Sequence, residues 1–471
     1  MSIAQAISSA MSGLTATARG TETVAANLAN AMTPGYARRE TVVSAQTQGG
    51  AGGVRVDGIA RIVNATLLNE SRIASSASNE ARVISAFQGA METRIGLPGE
   101  PAALSTALSD FQTALASAAT RPDDEIRLTQ LASAASALAG RLNGASDAVQ
   151  AARGAAQTAI AADIETLNAS LARVAYLNTR IAALDADGTD ASTLRDERQV
   201  AIDRIAGIVP VQEVAREGGK VALFTAGGAV LLDGNLPATF GFQGDGQVTA
   251  DQSLGAGLNL PTFNGKPLEE GQMKLFAGGS LSAQFEIRDQ LAPQMQTELD
   301  ALAMDLRDRL QAANGDEVFV DPIGGDPVGI AGRIALNPLA DTRASGNPAW
   351  LRDGFGGGPA NAAGDGSRIG GMIAALEDAA DPAGSAGLSG RATLADRFGT
   401  VEARVSTRRI EAEGDLAIRQ SRVETISGSL LADGVDTDAE MQKLLQYEQS
   451  YAANARVLVA IDEMLDQILR M

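Results

Sequence analysis

The sequence predicts a mainly α-helical protein with a β insertion, in which the first and last helical segments pair with each other as a coiled coil. Three observations lead to this fold class: a long heptad pattern late in the chain, a weaker one early in it, and strand-length apolar runs in a Gly-rich stretch between them. The chain has 471 residues, so more than one hydrophobic core is expected.

The segment 437–471 contains no Gly or Pro and carries a mostly apolar heptad seam, which is the pattern of a helix that packs along another helix. The two seam positions hold Leu444, Tyr451, Leu458 and Leu465, and Tyr447, Asn454, Ile461 and Ile468. The polar Asn454 would either fix the register of the coiled coil or lie at the edge of the seam. Thr437 and Glu440 have the spacing of a capping box, which would mark the start of the helix.

The segment 3–29 has a weaker seam of smaller residues through Ile7, Leu14, Thr21 and Leu28. Gly13 and Gly20 are the only residues in it that disfavour a helix. We expect the first and last segments to form one terminal coiled-coil domain, residues 1–40 plus 434–471. For the first segment alone, an ordinary amphipathic surface helix is an open alternative.

Between these ends, the composition changes several times along the chain. Helical periodicity runs from 65 to about 184 with breaks near 96–101 and 121–124, and it returns over 193–206, 282–313 and 394–432. This predicts a discontinuous inner helical domain, residues 41–208 plus 272–315 plus 385–433. Apolar runs separated by Gly pairs predict a small outer β domain at 209–271. The Gly- and Pro-rich stretch 316–384 is expected to be an irregular insertion on the outer surface.

Composition excludes several classes of function. A formal net charge of −19 argues against binding to nucleic acid or to anionic membranes, and no apolar run is long enough to span a bilayer. The chain has no His and no Cys, which removes the commonest general base and the usual transition-metal ligands. The acidic residues between 433 and 440 lack the spacing of a calcium loop, and the Gly clusters match no phosphate-binding motif. We therefore expect no enzyme activity, no cofactor and no metal site.

Short motifs at both ends carry a family resemblance. Ser12-Gly13-Leu14, Asn27-Leu-Ala-Asn30 and Thr33-Pro34-Gly35-Tyr36 resemble the N-terminal signature of bacterial flagellar rod, hook and hook-associated proteins. The run from Gly434 to Glu440, the run from Tyr447 to Val457, and Asp462-Glu-Met-Leu465 are similar to the shared C-terminal motif of that family.

The position of the long helical region indicates which members of this family the chain resembles most. Hook and rod proteins carry β domains soon after the first helix, whereas here a helical region comes first and ends near Leu194-Arg-Asp-Glu-Arg198, a loose match to a motif of the hook-associated members. The resemblance then implies a structural subunit that joins the flagellar hook to the filament. The alternatives are a hook or distal-rod protein or, in a different class, a secreted surface adhesin or glycan-binding protein.

The resemblance also implies partners and a location. The partners would be other copies of the chain, the hook protein on one side, a second junction protein and the filament on the other, and an export chaperone on the last helix. Nucleic acid and membrane are not expected partners. The first residues lack the basic and apolar segments of a secretion signal, so export by the flagellar type III apparatus without cleavage, to an extracellular location in the flagellum, is expected.

The heptads and the motifs together define an expected assembly interface. In the first segment it comprises Ile7, Leu14, Asn27, Asn30, Pro34, Gly35 and Tyr36. In the last segment it comprises Leu444, Tyr447, Tyr451, Asn454, Leu458, Ile461, Leu465 and Ile468.

Overall fold

The computed structural model describes residues 3–46, 52–244, 247–325, 327–355, 362–382 and 388–470. The helices are α1 (Ile3–Asn30), α2 (Ala65–Ile95), α3 (Leu104–Thr120), α4 (Glu125–Ala186), α5 (Ser192–Ile208), α6 (Gly279–Glu286), α7 (Ala292–Asn314), α8 (Trp350–Asp353), α9 (Ser367–Glu377), α10 (Leu394–Ala432) and α11 (Thr437–Leu469). The strands are β1 (Arg39–Ala45), β2 (Val54–Arg61), β3 (Val211–Ala215), β4 (Val221–Thr225), β5 (Val230–Asp233), β6 (Leu236–Pro237), β7 (Phe240–Gly241), β8 (Ser253–Leu254), β9 (Gly257–Leu258), β10 (Thr262–Phe263), β11 (Lys266–Pro267), β12 (Phe319–Val320) and β13 (Ala335–Leu336).

These elements confirm the predicted fold class, mainly α with β insertions. The predicted breaks near 96–101 and 121–124 separate α2, α3 and α4, because Pro and Gly in these stretches interrupt the helical hydrogen bonds. No helix of the described residues is long and apolar enough to cross a membrane. The division into four domains with the boundaries given above stays a prediction.

Helix α4 is the long axis around which the rest of the chain packs. Its 62 residues extend over about 93 Å at 1.5 Å per residue. The first part, from Leu128 to Ala156, lies in one hydrophobic core with α2, α3, α7, α9 and α10. The second part, from Ile160 to Ala175, lies in another core with α5, α6 and the strands that follow α5. One continuous helix therefore joins both cores.

The β insertion packs directly on helices. Strands β3 to β6 form an antiparallel four-stranded sheet in chain order, and β7, β10 and β11 form a three-stranded sheet. Leu223, Leu231 and Leu232 share their core with Ile164 and Ile202 of the helices. Because the buried faces of the strands rest on α4 and α5, the insertion has no separate core of its own.

The outer-surface prediction for 316–384 is wrong for much of that segment. Phe319, Ile334, Leu351, Ile369 and Met372 are buried in the same core as α3, α4 and α7. Few apolar residues are scattered among many Gly, Pro and Asp residues here, so the segment resembles a solvated loop in composition. It nevertheless contributes one side of the helical core.

We expect Phe319→Ala to destabilise the helical core by about 3–5 kcal/mol, since removing a fully buried ring leaves a cavity. The Phe319 ring lies edge-on to Phe111 of α3, with ring centroids 5.9 Å apart. Thermal unfolding of the purified chain measures the effect. Ile323→Ala, at an exposed position of the same segment, should leave the melting temperature nearly unchanged, and equal effects of the two variants would contradict the burial described here.

The expected helix over 282–313 is present but interrupted. A π-helical turn, Ile287–Leu291, separates α6 from α7. Pro293 lies in the first turn of α7, where its missing N–H group costs little. The wider π turn accommodates a proline that a continuous α-helix would exclude.

Two long helix pairs connect the ends of the chain. Helix α10 packs along α2, and the Ser406 hydroxyl donates to Glu92 Oε1 at 2.7 Å while Arg419 Nη1 lies 3.3 Å from Glu80 Oε2. Helix α1 packs along α11 and also on the hairpin formed by β1 and β2. We call α1, β1, β2 and α11 the terminal unit, and α2 to α10 with their connections the body.

Candidate assembly interface

The pairing of α1 with α11 is antiparallel and repeats every seven residues. Gly13 lies against Asn454, Gly20 lies against Tyr447, and Asn27 binds Glu440. Each step of seven residues forward along α1 therefore corresponds to a step of seven residues backward along α11, as expected for a heptad seam. The structure therefore brings together the two ends of the chain, as the sequence predicts.

The two glycines are the places where α11 comes closest to α1. A Cβ atom built on Gly20 would lie 2.5 Å from Cζ of Tyr447, and one built on Gly13 would lie 2.7 Å from Nδ2 of Asn454. At either distance, a Cβ atom would require the side chain of Tyr447 or Asn454 to move. The sequence analysis named Gly13 in the N-terminal motif and both glycines as residues that disfavour a helix, but not as points of close approach. Their spacing of seven residues was the available signal.

Asn27 is the hydrogen-bond centre of the terminal unit. Its Nδ2 atom donates to Glu440 Oε2 at 3.0 Å and to the Arg39 carbonyl oxygen at 2.9 Å. Its Oδ1 atom accepts from the Tyr36 hydroxyl at 2.8 Å and from the Arg39 N–H group at 2.9 Å. All four hydrogen-bonding positions of the amide are used, and one side chain joins α1, the Pro-Gly turn, β1 and α11.

Glu440 does not cap its own helix, contrary to the capping-box prediction. Asp436 is the N-cap of α11 and accepts from the N–H groups of Asp438 and Ala439. Glu440 is only 1% exposed, and besides Asn27 it has Lys443 Nζ at 3.4 Å and Arg38 Nη1 at 3.7 Å. The buried carboxylate is therefore held by one amide and two cations.

Burial of this region also affects its tyrosines. Burial raises the pKa of Tyr36, and the nearby Arg39 guanidinium opposes that increase. Burial likewise raises the pKa of Tyr447, with smaller contributions from Glu40 and Glu440. Both phenols are neutral hydrogen-bonding and packing groups at neutral pH.

The β1–β2 hairpin also packs on α1. Ser12 Oγ accepts from the Val54 N–H group at 3.1 Å, and the hydroxyls of Thr23 and Thr41 are 2.9 Å apart. In the Ser12-Gly13-Leu14 motif, Ser12 therefore contacts the hairpin, while Gly13 allows α11 to approach α1 closely.

Helix α5 of the body contacts the Pro-Gly turn and the hairpin. Asp196 accepts from Arg39 Nη2 and from Arg61 Nε, both at 2.7 Å. A Cβ on Gly35, which has φ of +80°, would lie 2.5 Å from Val200 Cγ2. The Leu194-Arg-Asp-Glu-Arg198 motif thus carries the contact between body and terminal unit. Sequence reasoning did not identify Asp196, Arg39 or Arg61, because nothing in the spacing showed which segments would meet.

The predicted interface residues differ in their surroundings. Ile461 is buried, and the half-buried ones are Ile7, Leu14, Asn30, Gly35, Tyr36, Leu444, Tyr447, Asn454, Leu458 and Leu465. Pro34 is exposed, as are Tyr451 at 50% and Ile468 at 57%. Asn27 is 0% exposed, so it cannot contact another subunit while the terminal unit is folded, and its assignment to an intersubunit surface is corrected to a contact within the chain. For the other residues, a role between subunits stays a prediction.

The terminal unit leaves many apolar side chains in water. Of the 27 large hydrophobic residues that are exposed among the described residues, 12 belong to it, although it is a minor part of the chain. Examples are Met11, Val43, Val459 and Leu469. Concentrated exposure of this kind marks an interaction surface.

We expect Asn27→Asp to weaken the α1–α11 pairing by about 3–5 kcal/mol, because it places a second carboxylate 3.0 Å from the buried Glu440 and removes a donor. Hydrogen exchange of α11 amides in the purified chain measures the loss. Asn30→Asp is the matched control from the same motif, since Asn30 Nδ2 donates only to the Ala26 carbonyl oxygen. Equal protection of α11 in both variants would show that the buried contact to Glu440 is not required.

Comparison with known families agrees with this architecture. A family model described as "Flagellar hook-associated protein FlgK helical domain" matches residues 97–326. The models "Flagella basal body rod protein" and "Flagellar basal body rod FlgEFG protein C-terminal" match residues 7–36 and 426–471, which contain most of α1 and all of α11. The chain is therefore similar to the flagellar hook-associated protein family along its helical middle part and to flagellar rod proteins at both ends. This family consists of flagellar structural proteins and not of enzymes, as the sequence predicted.

Relatives of the hook-associated protein 1 family match different lengths of the chain. Flagellar hook-associated protein 1 of Escherichia coli (strain K12) is 26% identical over 49% of this chain and 43% of the relative. That of Salmonella typhimurium is 27% identical over 49% of this chain and 42% of the relative. That of Bacillus subtilis (strain 168) is 22% identical over 98% of this chain and 97% of the relative. The chain thus matches less than half the length of the first two relatives.

One solved structure is similar over part of the chain. The flagellar hook junction protein FlgK from Burkholderia pseudomallei covers 54% of this chain and 44% of its own, with 22% identity and a TM-score of 0.45. The longest family match is to a model named for the helical domain of a hook-associated protein. This match favours a hook-associated protein over the hook or distal-rod alternative.

Proposed function

We propose that this chain is a structural subunit that joins the flagellar hook to the filament and assembles through its terminal unit. The observation that supports this most is the α1–α11 pair. Its two helices are in close contact at Gly13, Gly20 and Asn27, and it still exposes apolar side chains to solvent. A terminal unit whose two helices already pair with each other and whose surface is apolar suits a subunit that packs against copies of itself.

Charge supports an apolar mode of assembly. With a formal net charge of −19, copies of the chain repel each other over long range. Burial of side chains such as Val457, Val459 and Ile468, at about 1.5–3 kcal/mol for each one fully buried, can offset this repulsion. The terminal unit is where such side chains are concentrated.

The family resemblance implies the partners. In addition to other copies of the chain, we propose the hook protein on one side and a second junction protein with the filament on the other. The exposed apolar residues of α11 would need cover before assembly, so an export chaperone is proposed to bind this helix. The location proposed is extracellular, in the flagellum, after export without a cleaved signal.

Deletion of the gene tests this proposal. Electron microscopy of the deletion strain should show hooks without attached filaments, and expression of the full chain should restore filaments. Missing hooks would favour a hook or distal-rod protein. Normal filaments on cells that have lost surface attachment would contradict the proposal and favour an adhesin.

A further inference from the structure

A small cavity with four arginines in its lining lies where the terminal unit meets the body. Its volume is about 120 Å³. Arg61 at the end of β2, Arg72 of α2 and both Arg195 and Arg198 of α5 line it, and Glu213 of β3 is the carboxylate in the lining. Four guanidinium groups around one space are unusual for a chain with an excess of acidic residues.

Three of these arginines have carboxylate partners. Arg61 Nε donates to Asp196, which also accepts from Arg39. Arg72 donates to Asp203 at 2.8 Å and to Glu213 at 2.6 Å. Arg195 donates to both oxygens of Asp185, at 2.8 and 2.6 Å. With Arg39 and Arg198 included, five guanidinium groups meet four carboxylates, so the cluster keeps a positive excess.

Two donors of the cluster are left incompletely matched. Arg198 is 7% exposed, and its hydrogen bonds to other described residues go to the neutral oxygens of Asn178 and Gly219, at 2.9 and 2.7 Å. No carboxylate of the described residues lies within ion-pair distance of it. Burial lowers the pKa of Arg198 to about 10, so it stays charged at neutral pH. Arg72 is 3% exposed, and its buried Nη2 atom has no hydrogen-bond partner among the described residues.

We propose that this cavity binds one small tetrahedral oxyanion of the phosphate or sulfate class. Such an anion would supply acceptors for Arg72 Nη2 and a negative charge beside Arg198, in a site where an unmatched buried donor is costly. Guanidinium groups match oxyanions through paired N–H donors. The volume admits a few waters or one such ion, and it is far below the range of about 300–1,000 Å³ typical of pockets for nucleotides or sugars.

The position of the cavity gives the anion a structural role. Arg61 belongs to the hairpin of the terminal unit, whereas Arg72, Arg195 and Arg198 belong to the body. An anion that bonds to both groups of arginines holds the hairpin on α2 and α5. It reinforces the contact that Asp196 makes to Arg39 and Arg61.

Calorimetric titration of the full chain tests this inference. The chain is dialysed into chloride buffer and titrated with inorganic phosphate, and separately with sulfate and acetate, at constant ionic strength. We expect saturable binding of one phosphate or sulfate per chain and a rise in melting temperature of roughly 2–4 °C at saturation. The proposal would be overturned if the wild-type chain did not bind phosphate at about 10 mM, a concentration that corresponds to a binding free energy of about −3 kcal/mol. Equal binding of acetate would also overturn it.

Variants locate the site. Arg198→Met and the partly exposed Arg195→Met should each weaken phosphate binding at least about tenfold, since each removes a lining charge. Arg173→Met is the matched control, because Arg173 pairs with Glu197 on the surface and does not line the cavity. Should Arg198→Met fail to fold, Arg195→Met decides the question. Unchanged affinity in Arg195→Met would place any bound anion elsewhere and refute the assignment.

Discussion

Gly20→Val is expected to abolish filament attachment while leaving the body folded. The added side chain would enter the space of the Tyr447 ring, 2.5 Å from the Cβ position, so the ring would be displaced from the contact between the two helices. Valine favours a helix more than glycine does, so α1 itself would not be weakened. The loss would lie entirely in packing against α11, where overpacking costs about 1–3 kcal/mol or more.

Swimming and electron microscopy of complemented deletion cells measure this effect, and hydrogen exchange of α11 in the purified variant measures the pairing. Gly414→Val is the matched control. Gly414 lies in the exposed part of α10, and a Cβ there has no neighbour within 4 Å. Normal filaments in the Gly20→Val strain would mean that close α1–α11 contact is dispensable.

Removal of residues 458–471 is expected to abolish incorporation at the hook tip with little change in thermal unfolding of the body. The deleted segment carries the buried Ile461 and the half-buried Leu458 and Leu465. These side chains pack in the terminal unit, where α11 contacts α1, while the body has its own two cores. At about 1.5–3 kcal/mol per fully buried side chain, most of the α1–α11 packing energy at this end would disappear.

A point variant sharpens the same test. Ile461→Asp would bury an unpaired carboxylate, which costs several kcal/mol, and should reproduce the truncation. Glu463→Ala, at an exposed position two residues away, should be tolerated. If the truncated chain unfolds many degrees below the wild type, α11 belongs to the core of the body and the division into terminal unit and body is wrong.

Much of the helical fold was predictable because helices depend on local signals. Periodicity with Pro and Gly breaks located α2, α3, α4 and α10, and the heptad of α11 identified its seam through Leu444, Tyr447 and Ile461. The short strands were harder to place. The pairing of β1 with β2, including a register shift after Val42, depends on support from α1 and has no strong signal in strand β1 itself.

The contacts that join distant segments could not be predicted from spacing. Asn27 and Glu440 are 413 positions apart, and Glu440 had a plausible local role as a capping residue. Propensity assigns glycine a cost in helices but says nothing of how close a neighbouring helix comes, so the close approach of α11 at Gly13 and Gly20 was not predicted. The segment around Phe319 was misplaced for a related reason, since composition does not show which few apolar residues enter a core.

The α2–α10 pair also sets the order in which the terminal unit forms and opens. In an unfolded chain, bringing Asn27 to Glu440 requires closing a very long loop, which has a high entropic cost and is slow. Once the body is folded, Asn64 Nδ2 donates to Asp433 Oδ2 at 3.1 Å, so the two segments that lead to α1 and α11 already start side by side. Their association is then nearly a local event. The terminal helices can therefore dissociate and re-form repeatedly while the body stays intact, which lets a subunit rearrange its ends without refolding.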